Sequence, residues 1–186
     1  MKIGIHQPNF LPWYPFFQKI MEVDTFIILK EPQFEKNNFQ NRFNLNDEWY
    51  TMSVHKGMMP IKNKEYFNPQ KDWEQIKKKL HNYENILSEF DEFITNNLFE
   101  TNYSIITKML QILDLKTQIV LDYPTELKST DRLIDLCKTY NATSYLSGLG
   151  GNKYLDLEKF EKENINVEFQ SDLNKIHSLQ YIKENL

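Results

Sequence analysis

Apolar and polar positions change rhythm several times along the chain, and the first changes come at once. Residues 2–5 (Lys2, Ile3, Gly4, Ile5) are short, apolar and β-branched, which reads as a buried strand. The strand cannot continue through 6–13, because Pro8 and Pro12 remove backbone donors and turn the residues before them away from helix. Pro15 suits the first turn of a helix whose apolar face would be Phe16, Phe17, Ile20 and Met21. Residues 24–29, apolar after Asp24, read as a second buried strand. Strand, loop, helix and strand make a βαβ unit, with parallel strands joined by a right-handed crossover.

Residues 30–47 are polar, rich in Asn and Gln, and punctuated by Phe34, Phe39 and Phe43 without a clear period. They read as a loop with a short helix, laid over the sheet. Residues 48–54 alternate well enough for a third strand, with Trp49 and Thr51 on one face, and 55–64 read as a loop able to close over a site. Asn68 and Pro69 form a helix start. Three helical runs follow, marked by Trp73, Ile76, Leu80 and Tyr83, then by Phe90, Phe93, Ile94, Leu98 and Phe99, then by Ile105, Ile106, Met109, Leu110 and Leu113. Beyond them come a strand at 118–121 and a helix capped by Ser129 or Thr130, with Leu133, Ile134, Leu136, Cys137 and Tyr140 on its apolar face. A strand at 144–146, a glycine-rich loop at 147–151, a helix over 155–163, a strand at 166–169 and a helix over 178–185 complete the chain. The expectation is one α/β domain over 1–186, a mostly parallel, Rossmann-like sheet with a helical block at about 69–114 inserted between its halves.

Composition narrows the function. At 186 residues the chain suits one domain with a substantial core, and 40% hydrophobic with 14% aromatic residues is globular, not disordered. A net charge of -4 argues against a non-specific nucleic-acid binder. No apolar run approaches the ~20 residues of a membrane span, and the start of the chain enters a strand without a signal-peptide core. One cysteine, Cys137, suits a reducing compartment, so a cytoplasmic protein is expected and the sequons at Asn102 and Asn141 read as chance.

The chemistry that can be built is limited. His6, His55, His81 and His177 are scattered with no i,i+4 pair, so no metal site is expected. Cys137 falls on an apolar helical face, which reads as a core thiol. Open α/β sheets bind ligands outside the carboxyl ends of their strands, which places His6, Gln7 and Asn9 in a pocket and makes His6 the candidate for acid–base work. Trp13 could stack on a base or sugar ring, or simply staple the helix start. Arg42, with Gln33 and Asn41 nearby in sequence, offers a planar fork for a carboxylate or phosphate. Ser147, Gly148 and Gly151 lie in a loop holding three of the five glycines, delivered by a strand and followed by a helix. Such a loop suits anions or close packing of a neighbouring element; it is neither a Walker sequence nor a dinucleotide fingerprint, and no cofactor is assigned.

The string His6-Gln7-Pro8-Asn9-Phe10-Leu11-Pro12-Trp13 resembles the opening signature of the WbqC-like family, found among bacterial surface-polysaccharide (O-antigen) biosynthesis proteins. The likeness continues through Phe17, Lys19 and Asp24 to Gln33, Phe34, Lys36 and Gln40-Asn41-Arg42, then Trp49, and returns at Tyr145-Leu146-Ser147-Gly148, Gly151 and Tyr154-Leu155-Asp156. Lys30 and Glu31 depart from the acidic pair usual before Gln33, and Asp122 to Thr125 depart from a serine-rich pattern. The layout is also similar to the opening of HUP-type nucleotidylyltransferases, although Leu11, Pro12, Trp13 and Tyr14 stand where those enzymes carry catalytic histidines. The resemblance implies transfer of an acyl or aminoacyl group to a nucleotide-linked amino sugar. The alternative is a non-catalytic nucleotide- or sugar-binding scaffold with a degenerate pocket. A small-molecule partner is implied and a homodimer is left open. Because strands of a parallel sheet present their carboxyl ends on one side, loops 6–13 and 147–151 should face each other, with the Gln33, Asn41 and Arg42 stretch emerging on that side.

Overall fold

Residues 1–186 are described by a computed structural model with mixed α/β architecture. In chain order the elements are β1 (Lys2–His6), α1 (Tyr14–Met21), β2 (Thr25–Ile28), β3 (Arg42–Leu45), β4 (Glu48–Thr51), α2 (Pro69–Lys79), α3 (Glu84–Ser88), α4 (Leu98–Ile112), β5 (Gln118–Leu121), α5 (Ser129–Thr139), β6 (Ser144–Ser147), α6 (Leu157–Lys162), β7 (Asn166–Phe169) and α7 (Ser178–Asn185). No helix is long and apolar enough to cross a membrane. The chain divides into two compact units. The first holds Met1–Gln7, Pro15–Leu29 and Lys116–Asn174; the second holds Pro8–Tyr14, Lys30–Leu115 and Lys175–Leu186.

The first unit is built on a five-stranded sheet ordered β5-β2-β1-β6-β7, every pairing parallel as the apolar runs predict. Its central strands are buried on both faces, which is why β1 and β2 read as unbroken apolar segments. The Asp24 carboxylate accepts the Lys2 N–H at 2.8 Å, tying the start of β2 to that of β1. Gly4 is set by close approach, since a Cβ there would lie 2.8 Å from the Phe26 ring. One face packs Ile3, Ile5, Ile27, Leu136, Cys137, Tyr145, Phe160 and Ile165 into a core. Each large apolar side chain buried this way contributes roughly 1.5–3 kcal/mol. On α1, Phe16, Phe17 and Ile20 are buried as expected, but Met21 is exposed and Lys19 is buried in their company. α5 has Lys128 at its cap position, and Thr130 accepts the Asp156 N–H at 3.1 Å instead of capping. From β1 the chain steps outward to β2 and β5, then returns to β6 on the other side of β1, so the order reverses between β1 and β6.

The second unit departs from the expected loop with a short helix. Residues 42–45 form β3, which pairs antiparallel with β4 in a two-stranded sheet of its own, so the strand read at 48–54 does not join the parallel sheet. The physical reason is the turn: Asn46 and Asp47 take φ of 53° and 63°, the left-handed pair that a two-residue hairpin requires. Phe43 and Leu45 are buried while Arg42 and Asn44 are half-buried, the alternation of a one-sided strand. The helical block is present, but its second run is shorter than the pattern suggests. Phe93 closes a 3₁₀ turn over Asp91–Phe93, and Leu98 and Phe99 open α4. Asn68 precedes Pro69 without a side-chain cap bond, whereas Asn97 caps α4 by accepting the Glu100 N–H at 2.9 Å. Loop 8–14 is held from two directions. Asn102, fully buried and thus no acceptor for glycan, donates to the Pro8 carbonyl at 2.9 Å and the Gln40 carbonyl at 2.7 Å, while accepting from the Tyr66 hydroxyl at 2.8 Å. From the C-terminal segment, His177 bonds the Leu11 carbonyl at 3.0 Å, the Ser178 hydroxyl donates to the Pro12 carbonyl, and Tyr181 stacks on Tyr14 at 3.8 Å. Leu11 needs this clamp because it is buried with a φ of 41°, a costly conformation for a residue with a Cβ.

Candidate functional site

The site follows from how two strands part. The β1–β6 ladder pairs Lys2, Ile3 and Gly4 with Ser144, Tyr145 and Leu146, and goes no further. On its other side β1 stays paired with β2 as far as His6 and Ile28. A notch therefore opens between the carboxyl ends of β1 and β6, at the reversal of strand order, where open α/β sheets hold their ligands. His6 stands two residues past Gly4 and Gly148 two past Leu146. The two loops thus leave neighbouring parallel strands on the same side, as the topology predicts.

His6 is half-buried at the end of β1, with its ring edge-on to Phe16 at 5.2 Å. Its Nδ1 lies 2.8 Å from the Gln7 carbonyl, an acceptor, so Nδ1 carries the proton and Nε2 keeps a lone pair. Burial, then the nearby Lys19 charge, lowers its pKa to about 4 against the pull of the Gln7 carbonyl, and the ring is neutral at pH 7. Lys19 reaches into the same notch from α1. It is 2% exposed, and its Nζ donates to the Ile5 carbonyl at 2.9 Å, just beyond the last β1–β6 pairing. Burial lowers its pKa to about 7, well below the ordinary lysine value. No carboxylate pairs with it; its other close neighbour is the Tyr145 ring, 5.8 Å from Nζ, whose phenol burial keeps protonated.

The glycine loop divides by position. A Cβ on Gly151 would lie 2.0 Å from the Ser147 hydroxyl and 3.1 Å from Leu155, so this glycine is set by packing. Its N–H donates to the Gly148 carbonyl at 2.9 Å, closing the turn that the buried Ser147 enters. Gly148 is half-buried, and a Cβ there would make an ordinary contact with the Gln170 Oε1, at 3.9 Å, without a clash. Gln170, just past β7, donates its N–H to the Ser147 carbonyl at 2.9 Å and its side-chain amide to the Pro15 carbonyl at 3.0 Å. Lys19 is named from sequence only as part of the family likeness, and neither it nor Gln170 is read there as a site residue. Gln170 could have been, by the strand-end rule that selects His6, whereas nothing in the pattern marks Lys19 as buried.

The remaining candidates divide between the units. Gln7 belongs to the sheet unit, half-buried beside His6. Asn9, Trp13, Gln33, Asn41 and Arg42 belong to the second unit. There Asn9 is buried, Trp13 is 44% exposed opposite His177, and Gln33 is exposed opposite Pro60. The Asn41 side chain donates to the Met52 carbonyl at 2.7 Å, and Arg42 stacks on Trp49 at 4.2 Å while donating to the Asn37 carbonyl. These bonds hold the hairpin in shape. Cys137 is buried, and burial pushes its thiol up to about 12, so it is inert near neutrality. No three His, Cys, Asp or Glu side chains are grouped to hold a metal ion. A groove of about 420 Å³ on the sheet unit is lined by α5 and α6 side chains such as Asp131, Lys138 and Lys159, and by none of the strand-end residues.

Comparison with known proteins is consistent in its direction. The uncharacterized protein Rv1507c of Mycobacterium tuberculosis (strain ATCC 25618 / H37Rv) is 29% identical over 185 residues, an alignment covering 89% of this chain and 80% of that one. No solved structure matches the chain. The profile of the WbqC-like protein family matches residues 7–181, from the signature after β1 into α7, and the chain belongs to that family.

Proposed function

We propose that the chain is a transferase of surface-polysaccharide assembly, moving an acyl or aminoacyl group onto the amine of a nucleotide-linked amino sugar. One observation carries the reading: the strand order reverses at β1 and β6, and the notch there presents His6 as a neutral imidazole with a free Nε2 lone pair. In this reading the mostly parallel sheet is taken as Rossmann-like, a fold in which nucleotides bind where the strand order reverses. The sugar rests on the expectation that WbqC-like proteins serve surface-polysaccharide biosynthesis. In this reading the substrate amine forms a C–N bond to the acyl carbonyl carbon while Nε2 takes the amine's proton. The bond to the donor breaks, and the departing group leaves with its electron pair. Gln7, Ser147 and Gly148 orient the substrate from the two strand ends.

A second reading, a binding protein without turnover, is favoured by the weak basicity of His6 and by Leu11, Pro12, Trp13 and Tyr14 at the position of catalytic histidines in nucleotidylyltransferases. A thermal-shift panel of nucleotide amino sugars, followed by mass spectrometry of mixtures with acyl donors, separates the two. At about 100 times Kd a ligand stabilises by roughly 2.7 kcal/mol. Stabilisation with an acylated product, lost in His6→Ala while binding persists, supports the transferase. Stabilisation without product supports the binding protein, and no stabilisation by any member contradicts both.

A further inference from the structure

The Lys19 amine is a buried ionisable group without a counter-charge, and burial opposes its charged form. A desolvated ammonium is costly unless it is paired and its donors are used. Lys19 has three donors and makes one bond, to the Ile5 carbonyl. No carboxylate of any neighbouring element lies within ion-pairing distance. The titratable groups facing it are His6 from β1 and the Tyr145 phenol from β6, neither of them anionic at neutral pH. Its carbonyl partner is itself left over by the parting of β1 and β6, so the ammonium sits where the two strands part. Above it the notch is bordered by His6 and by Gly148, both half-buried, the glycine presenting backbone without a side chain.

We propose that Lys19 is the anchor for an anionic group of the substrate, a pyrophosphate, which enters past His6 and Gly148 and supplies the missing counter-charge at the β1–β6 notch. The inference rests on the proposed nucleotide-sugar reading and names the part of that substrate the notch takes. An anion at Lys19 favours its charged form, so binding draws a proton onto the amine above neutral pH. By linkage, affinity then falls as pH rises. The same anion makes His6 easier to protonate, which strengthens it as the base for the attacking amine.

The test uses the full chain with its lysine Cε atoms labelled with ¹³C, titrated by NMR alone, with inorganic pyrophosphate, and with acetate. Lys19→Gln assigns the resonance; if that variant does not fold, Lys64→Gln assigns it by elimination, since Lys64 is the other buried lysine. The expected result is a Lys19 resonance that titrates near neutrality alone and at least one pH unit higher with pyrophosphate. Once the ligand's own protonation is allowed for, affinity for pyrophosphate should be roughly tenfold weaker at about pH 9 than at about pH 6 for each unit of that rise. An unmoved Lys19 titration with pyrophosphate overturns the proposal, as does a response to acetate alone, which would mark a carboxylate site. Acyl transfer with an unmoved Lys19 leaves the transferase reading standing and removes only this inference; a moved Lys19 without transfer does the reverse.

Discussion

Replacing Lys19 by methionine should change how stability depends on pH, and the size of the change follows from burial. In the folded chain the Lys19 pKa is about 7, against an ordinary value of 10.5, because the ammonium has lost its water and gained one carbonyl. Between those values the unfolded chain binds more protons than the folded one. Folding stability therefore rises with pH across that window, by about 1.4 kcal/mol per pH unit for one fully shifted group. From about pH 7 to about pH 9.5 the wild-type protein should gain on the order of 3 kcal/mol relative to Lys19→Met. The methionine also leaves the Ile5 carbonyl without its donor, a cost of about 1–3 kcal/mol, but that cost does not vary with pH and drops out of the slope. Cys137, whose thiol is pushed the other way, is present in both proteins and cancels. Urea unfolding followed by far-ultraviolet circular dichroism at half-unit pH steps gives both curves. Parallel curves for wild type and variant would refute the reasoning, because they would mean that Lys19 is solvated or paired in the folded state.

Several other substitutions test neighbouring parts of the account. Asn102→Ala removes one bond to each of three buried groups and should cost about 2–4 kcal/mol in urea unfolding, whereas an exposed asparagine such as Asn82 should cost under about 1 kcal/mol. His177 has a pKa lowered to about 4 by burial, with one ring nitrogen bonded to the Leu11 carbonyl and the other accepting the Leu179 N–H. The stability it contributes is present above pH 6.5 and is lost as pH falls towards 4. A His177→Gln protein should show a shallower acid limb by on the order of 2–3 kcal/mol. Gly151→Ala should destabilise by about 1–3 kcal/mol through its clash with Ser147, while Gly148→Ala should leave the melting temperature within a degree or so and weaken pyrophosphate binding at least tenfold.

Much of the parallel sheet was legible because buried strands are short apolar runs: 2–5, 24–29, 118–121, 144–146 and 166–169 all fall on strands of the sheet. The crossover rule then places loops 6–13 and 147–151 on one side without further information. The β3–β4 hairpin was missed because its signal is small, an Asn46–Asp47 turn between strands of four residues whose apolar positions are diluted by Arg42 and Asn44. The burial of Lys19 could not be read from the helical pattern, since its cause is not periodicity. It is the early end of the β1–β6 ladder, which leaves a carbonyl for the ammonium to bond. Asn102 was hidden in the same way, because its three partners, Pro8, Gln40 and Tyr66, are distant in sequence. Long-range polar contacts of this kind leave no local trace.

The notch between β1 and β6 is the proposed place of ligand binding. Amide chemical shifts of the ¹⁵N-labelled chain, followed as a stabilising nucleotide amino sugar is added, test that placement directly. The largest changes should fall at Gln7, Gly148 and Gln170, with the side-chain resonances of His6 and Lys19 moving in step at the same ligand concentration. Saturable binding whose shifts cluster on α5 and α6, or on the β3–β4 hairpin, and leave those five residues still would contradict it.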